Sequence, residues 1–161
     1  PLAYYATYFS LRSKQYDYGL MRASTKDIYQ QLQTYKRQKN ELKKKLSPKE
    51  ADLEVTLMNV LEMKERGFTI LPLDLARSQA DTFLIDVDRA GLIPPFTVID
   101  GIGANAALSI VQARQERMFT SPKDLANRTK LSTTNIEKLT NLGVLKAIEM
   151  EETVSLFSFA D

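Results

Sequence analysis

Residues 101–103 read Gly-Ile-Gly, and residues 104–114 follow at once as Ala-Asn-Ala-Ala-Leu-Ser-Ile-Val-Gln-Ala-Arg. Two glycines around one apolar residue permit a tight hairpin, because glycine enters turn conformations without a Cβ penalty. Ala106, Ala107, Ile110 and Val111 recur at helical spacing, which predicts a helix starting immediately after the hairpin. Ile102 then anchors the turn inward while the turn's amides point outward. The first N–H groups of a helix lack internal acceptors and sit at the positive end of its dipole, so such a junction suits a phosphate oxygen. The candidate phosphate contacts are Gly101, Gly103, Ala104 and Asn105.

This is the pattern of a helix-hairpin-helix motif, which grips nucleic-acid backbone without reading bases. A dinucleotide-binding glycine loop is the rival chemistry, but it needs a third glycine and a preceding parallel strand; the third glycine is absent. The plain alternative is a turn between two packed helices. Asp100 places a carboxylate beside the proposed phosphate site and opposes strong affinity.

The 161 residues contain no Cys and no His, which removes thiolate nucleophiles, disulfides, imidazole catalysis and thiolate or imidazole metal sites. No cluster among Asp74, Asp81, Asp86 and Asp88 has two-metal character, so no catalytic residue and no metal ligand is expected. No run approaches the roughly 18 apolar residues of a membrane span, and no signal peptide is evident. A soluble, cytoplasmic chain is expected, and its start at Pro1 suggests a piece of something longer.

Charge divides the chain. Residues 1–49 hold eleven basic and three acidic residues, the remainder eleven basic and seventeen acidic, and all seven Tyr lie between Tyr4 and Tyr35. Two regions with different jobs are implied. In the first, residues 2–12 read as a short buried helix. Ile28, Leu32, Tyr35, Leu42 and Leu46 form one helical stripe opposite Lys36, Arg37, Lys39, Lys43, Lys44 and Lys45. Ser47-Pro48-Lys49-Glu50 starts a second helix with a capping box, and Gly67 stops it. An antiparallel helical hairpin follows.

Residues 68–75 and 82–87 are strand-like and are expected to pair with each other. Gly91 to Pro95 breaks the pattern, which sets the junction near residue 90. Three helices are predicted beyond it: residues 104–114, residues 122–128 behind Ser121, and residues 133–142 between Ser132 and Gly143. The expected fold is mainly α with a small β element, a helical hairpin followed by a helix-hairpin-helix region over residues 91–148, then a tail over residues 149–161.

Two further signals bear on partners. Lys36, Arg37, Lys43 and Lys44 in the basic run form either a solvated helix face or an electrostatic track for phosphates. The Tyr cluster reads as core rather than a base-stacking platform. In the tail, Val154, Leu156 and Phe157 present apolar side chains in a polar context, as a short peptide that docks in a groove does.

In order along the chain, the opening Pro-Leu-Ala-Tyr-Tyr-Ala-Thr-Tyr-Phe, Met63-Lys-Glu-Arg-Gly-Phe, Asp74-Leu-Ala-Arg-Ser, Leu92-Ile-Pro-Pro-Phe, Gly101-Ile-Gly and Ile110-Val-Gln-Ala-Arg resemble the C-terminal end of PolC-type replicative DNA polymerase III alpha subunits. The resemblance implies that residues 1–90 are outer fingers, residues 91–148 bind duplex DNA, and residues 149–161 engage the sliding clamp through Val154, Leu156 and Phe157. It implies magnesium in the parent enzyme with its ligands upstream of this segment. The implied partners are duplex DNA, the clamp and the rest of the polymerase, with no membrane. Asp100 stands where that family often has Pro, and Thr153 where the clamp peptide prefers Gln. The competing readings are a free-standing helix-hairpin-helix adaptor of repair or uptake machinery, and a protein-interaction domain.

Overall fold

The computed structural model describes residues 1–149. Helix α1 (Leu2–Leu11) buries Tyr5, Ala6 and Phe9 on one face, and Phe9 meets Phe83 with ring centroids 5.5 Å apart. The Tyr hydroxyls find partners as burial requires: Tyr5 donates to Glu62 Oε1 at 2.8 Å, Tyr16 donates to the Phe9 carbonyl, and Tyr18 Oη accepts from the Leu73 N–H at 2.9 Å. The Tyr cluster is only partly core, since Tyr4 and Tyr29 are exposed.

A short helix α2 (Tyr18–Met21) leads to α3 (Thr25–Asn40) and α4 (Pro48–Glu65). Ser24 and Ser47 cap these two, each accepting from the N–H three residues on at 3.1 Å. The pair is antiparallel: Lys64 near the end of α4 donates to the Ala23 carbonyl before α3, while Gln38 near the end of α3 donates to Glu50 at the start of α4 at 3.1 Å. Glu50, expected to reach back to its own cap, thus serves the partner helix. The expected stripe runs on too far. Helix α3 stops at Asn40, Lys43 takes φ +51°, and Leu42 is 64% exposed, so Lys43, Lys44 and Lys45 lie in the connection rather than on a helix face. Gly67 ends the second helix with φ +90°, as predicted.

The pairing expected between the two strand-like runs is replaced by a three-stranded sheet of order β1-β3-β2. Strand β1 (Thr69–Ile70) and strand β2 (Leu84–Asp86) flank β3 (Gly91–Ile93), with Thr69 opposite Gly91 in parallel and Ile85 opposite Leu92 antiparallel. The segment read as a pattern break is therefore the central strand, buried throughout. Its entry is a tight turn in which Ala90 adopts φ +49°. A Cβ on Gly91 would stand 2.6 Å from the Thr69 carbonyl oxygen, so glycine is what allows the parallel neighbour this close. The junction expected near residue 90 falls between two strands of this one sheet.

A 3-10 turn (Phe96–Val98) carries the chain from β3 to the glycine hairpin, and α5 (Ala104–Glu116), α6 (Pro122–Arg128) and α7 (Thr133–Asn141) follow close to their predicted spans. Arg128 closes the end of α5 by donating to the Ala113 and Arg117 carbonyls at 2.8 and 2.9 Å. Arg114 crosses from α5 to the loop after β1, donating to the Leu75 and Ser78 carbonyls at 3.1 and 2.5 Å above the Phe96 ring. One apolar cluster extends from Tyr5 and Phe9 through Leu57, Leu92 and Phe96 to Leu139 and Ile148. Among the described residues no helix is long and apolar enough to cross a membrane.

Candidate nucleic-acid interface

Buried Phe96, Val98 and Ile99 fix the path into the hairpin, and Ile102, 3% exposed, pins its tip to the core with its N–H donating to the Ile99 carbonyl at 3.0 Å. Gly101 takes φ +92°, a conformation that L side chains rarely adopt. Gly103 is the N-cap of α5 in ordinary extended geometry, φ −79° and ψ 177°. Behind this turn Ala107 and Ile110 are fully buried, as the helical spacing predicts.

Gly101, Gly103, Ala104 and Asn105 are brought together at the start of α5, and all four are exposed. Helix geometry leaves the N–H groups of residues 104–106 without intrahelical acceptors, and Gly103 brings no side chain to occupy them. The contrast is internal to the chain: Ser24, Ser47, Ser121 and Ser132 each cap their helix with a hydroxyl. A Cβ at Gly103 would meet nothing within 4 Å. Packing therefore does not require glycine there, and the space in front of the amides is open.

Two grooves flank the hairpin. One, about 520 Å³, is lined by Lys14, Tyr16, Thr97 and Asp100 together with Gly101 and Gly103. The other, about 600 Å³, lies between Tyr18, Tyr35 and Leu53 on one side and Asp100, Lys138 and Asn141 on the other. Lys138 donates to the Asp100 carbonyl at 2.6 Å, and so sets an ammonium beside the residue whose carboxylate opposes an anion.

The basic run is placed elsewhere. Lys36, Arg37, Lys43 and Lys44 line neither groove. Arg37 is spent on an exposed pair with Glu41 at 3.1 Å. The tail residues Val154, Leu156 and Phe157 lie outside the described residues. Sequence reasoning missed Lys14, Asn135 and Lys138. The spacing of three between Asn135 and Lys138 puts them on one face of α7, but only the fold shows that this face meets Gly101. The two best-held carboxylates are used structurally: Asp86 by Arg77 and Arg89, and Asp124 by Arg117 and Arg128. Among the described residues no group of three or more acidic side chains converges as a metal site.

The family model described as helix-hairpin-helix motif matches residues 67–154, a span that takes in the sheet as well as the hairpin. The chain is also similar along nearly all its length to proteins named DNA polymerase III PolC-type. That of Streptococcus pneumoniae serotype 2 (strain D39 / NCTC 7466) is 43% identical over 159 residues, 98% of this chain and 10% of that protein. That of Oceanobacillus iheyensis is 39% identical over 157 residues, 98% of this chain and 11% of that protein. The Lactococcus lactis subsp. lactis protein is 41% identical over 160 residues. The chain thus spans about a tenth of the length of the curated relatives it matches. With the glycine turn, the uncapped helix behind it and a family match over more than half its residues, the chain belongs to the helix-hairpin-helix motif family.

Proposed function

We propose that this chain is the duplex-gripping and clamp-tethering part of a PolC-type replicative DNA polymerase. In this reading the α5 amides and neighbouring cations hold phosphates of the template-primer duplex while the palm, outside this chain, adds deoxynucleotides and holds the magnesium. Residues 1–90 belong to the outer fingers, and Val154, Leu156 and Phe157 engage the sliding clamp. The chain alone is not expected to polymerise. The carrying observation is Gly103: no neighbour within 4 Å demands glycine, yet it leaves the helix N-terminus bare and open to close backbone approach. PolC-type relatives matched over 98% of the chain support a polymerase-borne role over a free-standing adaptor.

Contact through amides and lysines carries no base information, so binding is expected to be weak, sequence-tolerant and salt-sensitive. Fluorescence anisotropy of labelled duplexes of differing sequence, titrated at several salt concentrations, tests this. A strong preference for one sequence, or affinity indifferent to salt, refutes the proposal.

A further inference from the structure

Asn135 is 6% exposed, and its side-chain amide makes no hydrogen bond among the described residues, while its backbone N–H donates to the Ser132 hydroxyl. The amide atoms still reach solvent, so the group is open to an incoming acceptor or donor. Its Oδ1 lies 3.5 Å from the position a Cβ on Gly101 would take, which places the idle group at the hairpin. On the same face of α7, Lys138 Nζ lies 3.1 Å from that position and donates to the Asp100 carbonyl. An ammonium has three donors. One is committed to the turn, and the side chain enters no ion pair among the described residues, so two remain for an incoming acceptor.

We propose that Asn135 and Lys138 of α7 are direct phosphodiester-binding residues that complete the hairpin site opposite the α5 amides. The inference rests on the reading of the hairpin as a nucleic-acid grip. A phosphodiester presents two unesterified oxygens, each able to accept from more than one donor, and a single helix N-terminus cannot surround both. The Asn135 amide and the two free Lys138 donors supply what is missing from the other side. Lys138 also counters Asp100, whose carboxylate otherwise weakens an anion site at this turn.

The test titrates a short labelled duplex with the 161-residue chain and with Lys138→Met, Lys138→Arg, Asn135→Asp and Gly103→Val, following thermal melting of each alongside. Lys138→Met is expected to weaken binding roughly three- to tenfold and to make the slope of log affinity against log salt shallower by about 0.9, the signature of one lost phosphate contact. Lys138→Arg restores the slope, and Asn135→Asp weakens binding by setting a carboxylate against the phosphate. If Asn135→Asp melts early, the Lys138 pair decides alone. Affinity lowered with an unchanged salt slope means that Lys138 only braces the turn, which overturns the inference. If Gly103→Val loses binding while every α7 variant matches the parent, the hairpin reading stands and this inference falls. No binding by the parent chain at low salt overturns both.

Discussion

At the scale of single residues, the two hairpin glycines have separable jobs. Gly101 is required by its backbone, at φ +92°, whereas Gly103 sits in a conformation open to any residue with empty space before it. Gly101→Val is therefore expected to cost about 1–3 kcal/mol of stability from backbone strain, and Gly103→Val less than about 1 kcal/mol, while both weaken duplex binding. Melting curves measured beside the titrations check this, and equal destabilisation by the two changes contradicts it. Charge makes a second prediction. Hydrogen bonds from Arg77 and then Arg89 hold the Asp86 carboxyl down at about 2, and Arg117, with the Thr120 N–H and Arg128, holds Asp124 below the usual carboxylate range. Both are depressed relative to an unfolded value of about 3.9, so their stabilising effect is complete above that value and fades as pH falls through the folded one. The melting temperature should drop between about pH 4 and pH 2, and Asp86→Asn should lower it at neutral pH while flattening the acid drop. Superimposable curves for parent and variant would count against the Arg-Asp-Arg arrangement.

Among the elements, local chemistry was legible in the residues and long-range pairing was not. Ser47, Ser121 and Ser132 announced their helices because a capping hydroxyl acts on an N–H only three residues away, and Gly67 and the Gly101 turn were equally local. The end of α3 was hidden, because lysines and leucines favour a helix and the apolar spacing continues past Asn40. The central strand and the pairing order were hidden for another reason. The strand-like runs 68–75 and 82–87 contain β1 and β2, but the three residues of β3 carry too little alternation to read, and its parallel neighbour is chosen by the fold. Asn135 and Lys138 share one face of α7 by their spacing, but their meeting with Gly101, which is what marks them, is tertiary. Gly91 exposes the sheet's main constraint. In Gly91→Ala the new methyl would stand 2.6 Å from the Thr69 carbonyl oxygen and 2.8 Å from Leu71 Cγ, and a paired backbone cannot easily yield. A loss of about 1–3 kcal/mol is expected, read as a melting point lower by roughly 2–12 °C. An unchanged melting point would mean that β1 can move aside.

For the whole molecule, the proposed duplex contacts at residues 101–105 lie within the family-matched span 67–154 while the proposed clamp anchors Leu156 and Phe157 lie beyond its end, and so the two should be separable. Burying Leu156 and Phe157 in a clamp groove is worth roughly 1.5–3 kcal/mol each before ordering costs. Leu156→Ala/Phe157→Ala should therefore weaken binding to a purified bacterial sliding clamp at least about tenfold, and leave duplex affinity unaltered. Calorimetry measures the first and anisotropy the second; equal clamp affinities would exclude these anchors. The hairpin itself is mounted differently from the tail. Arg114, ten residues beyond the start of α5, is fastened to the carbonyls of Leu75 and Ser78 and lies over Phe96. Arg114 thereby ties α5, and the hairpin at its start, to the loop between β1 and β2. Under the proposed reading, a duplex held at the hairpin is held by a turn braced against the rest of the fold rather than by a free loop.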